Sequence, residues 1–309
     1  MNPLINLRTA FEAGDLSKQE YIEAIHNQHR ILFNYPGFIS DTDVESLHIN
    51  PEGVFIRSRS QQIELWLDPM DQHLVPCTLM NFRSYELAET EFLKSIANND
   101  WTMIDIGANC GWYSLALARK FPSMTIHACE PIFDTYKILL RNISHNKIKN
   151  IHAHQTGFSD KTEKLDFFHT PKCSGATSLL HAGQPVNDTR DLQKITCSCV
   201  PLDEFCSKNK ITPHLIKCDV EGAELLVIQG GKHTLKSCKP VILCELLRKW
   251  SKKFGYHPND VINLLKKYGY KAYTIHQKNI TECPYIDEET IETNFFFLHP
   301  EQHREIIPQ

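Results

Sequence analysis

Short apolar runs alternate with segments of helical periodicity over most of the chain, from about residue 84 onward. The apolar runs predict buried strands at 103–106, 124–129, 151–158, 215–220, 241–245, 270–275 and 294–298. The segments between them repeat their apolar residues at helical spacing and predict helices at 86–97, 111–121, 132–145, 221–236 and 258–268. This alternation predicts an α/β fold in which helices cover both faces of a mainly parallel sheet.

The first 83 residues follow a different pattern, which predicts a small α+β segment ahead of the main domain. Ser17-Lys18-Gln19-Glu20 has the spacing of a capping box, and Ile22 and Ile25 continue it as a helix that stops at Pro36-Gly37. Three short strand-like runs follow, at 46–49, 54–57 and 63–67. We therefore predict an N-terminal helix and small β layer over 1–83 and one main domain over 84–309. Within the main domain, residues 159–200 form a long excursion with strands at 165–169 and 195–200.

The composition disfavours several classes of protein. Of the 309 residues, 41% are apolar and 23% are charged, so the chain can bury a core without disulfides. The formal net charge of −4 disfavours a nucleic-acid partner, whose phosphates attract basic proteins. No apolar run approaches the length of a membrane span, and the start lacks a charged leader followed by an apolar core. The 11 cysteines are odd in number and lack C-x-x-C spacing, so we expect reduced thiols, a cytoplasmic location and no cysteine metal site.

The strongest motif joins the strand at 103–106 to the following helix and reads Asp105-Ile106-Gly107-Ala108-Asn109-Cys110-Gly111. It differs from the dinucleotide pattern G-x-G-x-x-G, because Asn109 occupies the second glycine position, where the backbone meets a pyrophosphate. Asparagine there suits a ligand without pyrophosphate, and Asp105 at the strand end suits a ligand with positive charge. S-adenosylmethionine has both properties, since it carries a sulfonium and an ammonium group and no phosphate.

Further acidic residues lie at the ends of neighbouring strands. Glu130-Pro131 follows the next strand, 25 residues after Asp105, at an interval typical of an acid that accepts hydrogen bonds from a ribose diol. The structural alternative is a carboxylate that only stabilises a helix N-terminus. Asp219 and Glu221, within Lys217–Glu224, fall at the same edge of the sheet. Acids that converge on one cleft need a cation or a proton between them, and a sulfonium cofactor would supply the cation. The runner-up is a divalent metal held by Asp219 with Glu245, although we predict no metal.

These motifs together resemble the FkbM-type S-adenosylmethionine-dependent methyltransferases. The similarity extends over about 84–298 and includes the turn above, Glu130-Pro131, Gly157-Phe158-Ser159-Asp160, Val200-Pro201-Leu202-Asp203, Lys217–Glu224 and Cys244-Glu245-Leu246. It implies a Rossmann-like sheet of seven strands and O-methylation of hydroxyls, often on sugars or polyketides. By this resemblance the methionine end meets Asp105, Gly107 and Asn109, the ribose meets Glu130, and the adenine meets Ser159 and Asp160. Ala108 and Pro131, in the same motifs, are also predicted cofactor residues. Glu86, in the lead-in helix, and Asp219 complete the predicted cofactor residues.

Methyl transfer to an alcohol needs a base within hydrogen-bond reach of the hydroxyl. The candidates are Glu221, Glu245 and Asp219, in that order, with His169 and His181 as weaker ones. Trp250, in the basic run 248–253, is either part of a solvated loop or a lip against a flat acceptor. We predict a small-molecule or glycan acceptor. Two alternatives stay open: a nicotinamide-dependent oxidoreductase, which Asn109 disfavours, and a methyltransferase-fold binding protein without activity.

Overall fold

The computed structural model describes residues 2–170, 172–173, 192–276 and 279–307. Its N-terminal part contains a pair of helices, two short helical turns, a three-stranded antiparallel sheet of order β1-β2-β3 and a further helix, α4. The elements are α1 (Pro3–Glu12), α2 (Lys18–His29), a 3-10 helix (Arg30–Asn34), α3 (Tyr35–Phe38), β1 (Val44–Asn50), β2 (Gly53–Ser58), β3 (Glu64–Trp66) and α4 (Val75–Phe82). The predicted capping box is confirmed, because Ser17 Oγ accepts from Glu20 N and Glu20 Oε2 accepts from Ser17 N. The predicted end of this helix at Pro36-Gly37 is wrong, because α2 ends at His29 and both residues lie within α3.

The main domain continues with alternating helices and strands. The elements are α5 (Leu87–Ile96), β4 (Thr102–Ile106), α6 (Trp112–Lys120), β5 (Thr125–Cys129), α7 (Phe133–His145), β6 (Ile151–His154), β7 (Gly157–Phe158), β8 (Glu163–His169), β9 (Gln193–Val200), α8 (Leu202–Asn209), β10 (Leu215–Cys218), α9 (Glu224–Gly230), α10 (Lys232–Cys238), β11 (Val241–Glu245), α11 (Arg248–Ser251), a 3-10 helix (Lys252–Phe254), α12 (Pro258–Lys267), β12 (Lys271–His276), β13 (Asn279–Glu282) and β14 (Asn294–Leu298).

The central sheet of the described residues has eight strands in the order β13-β12-β14-β11-β10-β4-β5-β6. The five strands from β11 to β6 are parallel to their neighbours, whereas β14 is antiparallel to both β11 and β12. This confirms the predicted α/β class. The sheet has one strand more than the expected seven, because β13 forms a hairpin with β12 at the sheet edge.

Both faces of the sheet are covered, as successive residues of β4 illustrate. Met103 belongs to a hydrophobic cluster with Leu115 of α6 and Leu139 of α7, whereas Ile104 belongs to a second cluster with Val227 of α9. Side chains of a strand point alternately to its two faces, so the two clusters lie on opposite sides. The sheet is therefore covered by side chains on both faces, and the carboxyl ends of its parallel strands lie along one edge.

The N-terminal part packs against α7 of the main domain. Asn146 exchanges two hydrogen bonds with the backbone of Glu64, at 2.9 and 2.6 Å, and Asn142 Oδ1 accepts from Trp66 N at 2.9 Å. Buried residues of β2 and β3 also join the cluster that contains Met103. The division at residue 83 stays a prediction, and in the structure the two parts share one hydrophobic core.

Two predicted elements of the main domain differ from the structure. The strand predicted at 151–158 is divided, because β6 ends at His154 and β7 instead pairs with β9 in a separate sheet of order β7-β9-β8. The helix predicted at 221–236 begins only at Glu224, after a tight turn, and Gly230-Gly231 divides it into α9 and α10. The excursion 159–200 is described only at its flanks. No helix of the described residues has the length and apolarity to cross a bilayer.

Candidate active site

The turn after β4 packs between the ends of the two strands that neighbour β4 in the sheet, β5 and β10. Gly107 N and Ala108 N both donate to Cys129 O at 3.0 Å, on the β5 side. On the β10 side, a Cβ on Gly107 would lie 1.8 Å from Asp219 O, and Gly107 has a φ of +75°. Only glycine combines that conformation with so close an approach. The predicted glycine turn is therefore present, and it lies in contact with Asp219.

Two buried oxygens face this turn without a hydrogen-bond partner in the described part of the chain. Asp105 is 1% exposed, and its Oδ2 accepts from Ser114 Oγ at 2.6 Å while its Oδ1 has no such partner. Burial raises the pKa of Asp105, and the ammonium group of Lys217, 3.8 Å from Oδ1, opposes that rise. Asn109 has a φ of +49°, and its buried Oδ1 is also unpartnered. Together they offer two acceptors for a cationic group.

Glu130 lies beside the same turn, at the end of β5. Its Oε2 accepts from Asn109 N at 3.1 Å and its Oε1 accepts from Ile132 N at 3.0 Å, so the carboxyl connects the turn after β4 to the backbone that follows Pro131. Burial raises the pKa of Glu130 to about 7, although these backbone hydrogen bonds favour the charged form. The predicted ribose-binding carboxyl is thus fixed in orientation and has lone pairs left for a further donor.

Lys217 connects the turn to the acidic side of the cleft, a role that we did not predict. It pairs in register with Asp105 between β10 and β4 and is 6% exposed. Its Nζ donates to Gly107 O at 2.9 Å and to Asp219 Oδ2 at 3.1 Å. Burial disfavours the ammonium form, but Asp219 and Asp105 outweigh burial and raise the pKa of Lys217. The sequence contains this lysine within a motif, but only the register reveals its partners.

The three predicted base candidates converge at the ends of β10 and β11. One carboxylate oxygen each of Asp219, Glu221 and Glu245 lies within 4.8 Å of the others. Burial, followed by the charge of Asp219, raises the pKa values of Glu221 and Glu245. Carboxyls this close either share protons or surround a cation, and a divalent ion could use the same oxygens.

Glu86 approaches the acidic group from the lead-in helix. It caps α5 with a left-handed backbone, φ +38°, and its Oε1 accepts from Asn294 Nδ2 at 3.0 Å. Asn294 pairs in register with Glu245 across β14 and β11. Burial raises the pKa of Glu86, and its charge in turn contributes to the raised pKa of Glu245. Glu86 therefore lies on the side of Glu245 in the cleft.

Ser159 and Asp160 lie in a separate turn. Ser159 is buried, and its hydroxyl donates to Asp160 Oδ1 at 3.2 Å or to Glu163 Oε1 at 3.1 Å, while Asp160 is exposed. A Cβ on Gly230 would lie 2.3 Å from Ser159 O, so this turn packs closely against α9. Within the residues the structure describes, no hydrogen bond joins Ser159 or Asp160 to Asp105, Asn109 or Glu130. An adenine role for them rests on the resemblance alone.

The remaining candidates are Trp250, His169 and His181, of which Trp250 lies in a segment that contacts Gly222, next to Glu221. Trp250 is 5% exposed in α11, and Lys253 Nζ lies 3.4 Å from its ring centroid. The solvated-loop alternative for Trp250 is therefore wrong, because the residue is buried in α11 with a lysine over its ring. Contact of this segment with an acceptor stays a prediction. His169, at the end of β8, is 2% exposed and burial lowers its pKa. His181 lies outside the described residues.

A comparison with known protein families shows to which family this chain belongs. The model of the methyltransferase FkbM domain matches residues 105–272, from Asp105 in β4 to the start of β12. The chain belongs to the FkbM methyltransferase family. The match covers more than half of the chain and includes Asp105, Glu130 and the Asp219–Glu224 turn, so the predicted resemblance is confirmed.

Two curated relatives resemble part of this FkbM chain. Methyltransferase 1 of Beauveria bassiana is 28% identical over 43% of this chain and 59% of its own length. The hexuronic acid methyltransferase AglP of Haloferax volcanii is 26% identical over 55% of this chain and 64% of its own length. The chain thus spans about three fifths of the length of these relatives. Among solved structures, a methyltransferase FkbM from Methylobacillus flagellatus is 17% identical with a TM-score of 0.41, over 65% of this chain and 44% of that chain.

Proposed function

We propose that this methyltransferase-family protein uses S-adenosylmethionine to methylate a hydroxyl group of a sugar, a polyketide or another small metabolite. The pair of unpartnered buried oxygens, Asp105 Oδ1 and Asn109 Oδ1, carries the cofactor part of the proposal. Buried acceptors without donors cost free energy, which a bound donor would recover. The α-ammonium group of the methionine end is a charged donor that suits a carboxylate oxygen and an amide oxygen within one motif.

Glu130 supports the ribose part of the proposal. Each of its oxygens accepts one backbone N–H, so each keeps capacity for a hydroxyl of a diol. Donors to a carboxylate favour its charged form, so a bound diol would lower the pKa of Glu130 from its raised value near 7. Gly107, Ala108 and Pro131 would contribute backbone shape to the same site, and Ser159 and Asp160 would lie toward the adenine.

The acidic group would serve the acceptor. S-adenosylmethionine, when bound, supplies a methyl group on a positively charged sulfur. The chain's own residues align the acceptor oxygen, exclude water and accept the hydroxyl proton. Glu221 is our first candidate base, because its raised pKa makes its carboxylate a stronger proton acceptor than an ordinary glutamate. Glu245 is the second. Asp219 is third, since it already accepts a hydrogen bond from Lys217.

The acceptor class rests on the family and on one relative. AglP is named for hexuronic acid, a sugar, and this supports a small-molecule or glycan acceptor for the present chain. Membership of a methyltransferase family leaves no observation in favour of a nicotinamide-dependent oxidoreductase. A binding protein that keeps the cofactor site without turnover is the second candidate, and transfer of a methyl group decides between them.

The test is calorimetric titration with S-adenosylmethionine, followed by transfer of its labelled methyl group into fractionated small molecules and glycans. We expect binding by the wild type and a loss of about 10–100-fold in affinity for Glu130→Ala, because hydrogen bonds to charged groups contribute about 1.5–3 kcal/mol each. Glu301→Ala, which removes an exposed carboxylate paired with Lys239, is the control and should bind normally. No binding by the wild type would overturn the proposal, and binding without any transfer would favour the inactive alternative.

A further inference from the structure

The turn that carries Glu221 has a strained backbone. Glu221 has a φ of +51° and Gly222 a φ of +106°, so two consecutive residues lie in the left-handed region. Glycine adopts this region freely, whereas a residue with a side chain does so at a cost. Such a conformation persists where the surroundings determine it, and it is common at functional sites. The residues that contact this turn therefore stabilise its backbone and, through it, the direction of the Glu221 side chain.

Glu224 binds the backbone on both sides of Glu221. Its Oε1 accepts from Val220 N at 3.2 Å and from Gly222 N at 3.0 Å, and the residue is 3% exposed. Both N–H groups converge on one oxygen only because the chain reverses at Glu221. The Glu224 carboxyl thus holds the backbone N–H groups of the residues before and after the candidate base.

Tyr256 binds the same turn from a distant part of the chain. Its hydroxyl donates to Gly222 O at 2.9 Å and lies 3.0 Å from Glu224 Oε2. Residues before Tyr256 complete the contact, since a Cβ on Gly222 would lie 2.7 Å from Phe254 Cε2 and 3.0 Å from the Trp250 carbonyl carbon. The 250–256 segment therefore packs directly against Gly222 and leaves the turn no room to relax.

The protons in this network can be counted. The Tyr256 hydroxyl has one proton and two acceptors nearby, Gly222 O and Glu224 Oε2. Both contacts become hydrogen bonds when Glu224 is protonated, because Glu224 then donates to the Tyr256 oxygen while Tyr256 donates to Gly222 O. Burial raises the pKa of Glu224 to about 7, in the direction of that protonated form. Glutamine, with an acceptor oxygen and an amide donor, reproduces the same pattern.

We propose that Glu224 and Tyr256 are positioning residues that hold the 220–222 turn in the one conformation that places the Glu221 carboxyl beside Asp219 and Glu245. The inference rests on the proposed function, in which Glu221 accepts the proton of the acceptor. Glu224 and Tyr256 act through the backbone of the turn, by hydrogen bonds to Val220 and Gly222. Their loss should therefore lower turnover and leave the cofactor site unchanged.

The kinetic test compares two tyrosines. Tyr256→Phe removes only the hydroxyl, and we expect kcat to fall about tenfold, the factor equivalent to one hydrogen bond of about 1.4 kcal/mol, with unchanged affinity for S-adenosylmethionine. Tyr270→Phe is the matched control, because Tyr270 is buried and its hydroxyl donates to Leu235 O away from the cleft. It should lose similar stability and keep its kcat. Equal kcat values for the two variants would overturn the proposal.

Substitutions of Glu224 and amide exchange extend the test beyond activity. Glu224→Gln should stay within about twofold of the wild-type kcat, whereas Glu224→Ala should lose at least as much as Tyr256→Phe; the reverse order would overturn the proton pattern. Hydrogen exchange at the Val220 and Gly222 amides should accelerate in Tyr256→Phe and Glu224→Ala. Unchanged exchange at these two amides would overturn the positioning role, whether or not the wild type binds S-adenosylmethionine. Failure of the wild type to bind S-adenosylmethionine would overturn only the proposed function.

Discussion

Replacing Gly107 by alanine tests whether contact between the cofactor turn and Asp219 is essential. The substitution adds two costs that the structure separates. The first is a side chain at a φ of +75°, which disfavours an L residue by about 1–2 kcal/mol. The second is a Cβ placed 1.8 Å from Asp219 O, a backbone atom that cannot rotate away. Overpacking of this kind costs about 1–3 kcal/mol, so we expect a total loss of about 2–5 kcal/mol in the free energy of unfolding.

Gly255 provides the matched control for this substitution. It has the same φ of +75°, and a Cβ there would meet nothing within 4 Å. Gly255→Ala should therefore show only the backbone cost, about 1–2 kcal/mol. Urea unfolding measures both variants, and titration with S-adenosylmethionine should show lost affinity for Gly107→Ala alone. If the two alanine variants lost equal stability and bound the cofactor equally, the contact between Gly107 and Asp219 would have no part in either property.

Two further predictions concern the acidic group. Burial and the neighbouring carboxylates raise the pKa of Glu221, so its proton-accepting form becomes abundant only above the ordinary glutamate range. We expect kcat to increase with pH through that pKa, and Glu221→Gln to lose turnover while keeping cofactor affinity; an unchanged profile in Glu221→Gln would exclude it as the base. Dialysis against a chelator should leave the transfer rate unchanged. Lys217 neutralises the charge of Asp219, and the raised pKa values of Glu221 and Glu245 let these two carboxyls share a proton, so the group needs no metal ion. A loss restored by Mg²⁺ or Mn²⁺ would instead assign Asp219, Glu221 and Glu245 to a metal site.

The strands of the central sheet could be predicted closely because their patterns are local. The apolar runs at 241–245 and 294–298 match β11 and β14 at both ends. The sequence over 151–158 predicts a single strand, yet the chain leaves the sheet at His154 and Gly157 pairs with Cys199 instead. Partner choice between sheets depends on residues more than 40 positions apart, which periodicity does not contain.

The candidate site shows the same division between local and distant signals. Asp105, Glu130 and Glu245 could be placed because each follows an apolar run and strand ends meet at one edge. The roles of Lys217 and Tyr256 depend on register and on packing of the 250–256 segment. Trp250 shows that local composition can also mislead, because its position in a basic run predicted exposure whereas tertiary packing buries it.

The position of β14 also has a consequence for how the protein forms during synthesis. β14 lies between β11 and β12 in the sheet but follows both in the sequence, and its Phe297 pairs with Ile242 on one side and with Ala272 on the other. A nascent chain synthesised only as far as β12 therefore lacks the strand with which β11 and β12 both pair. Glu86 receives its hydrogen bond from Asn294 at the start of the same strand. The central sheet and the Glu86 side of the cleft can therefore be completed only after β14 has been synthesised.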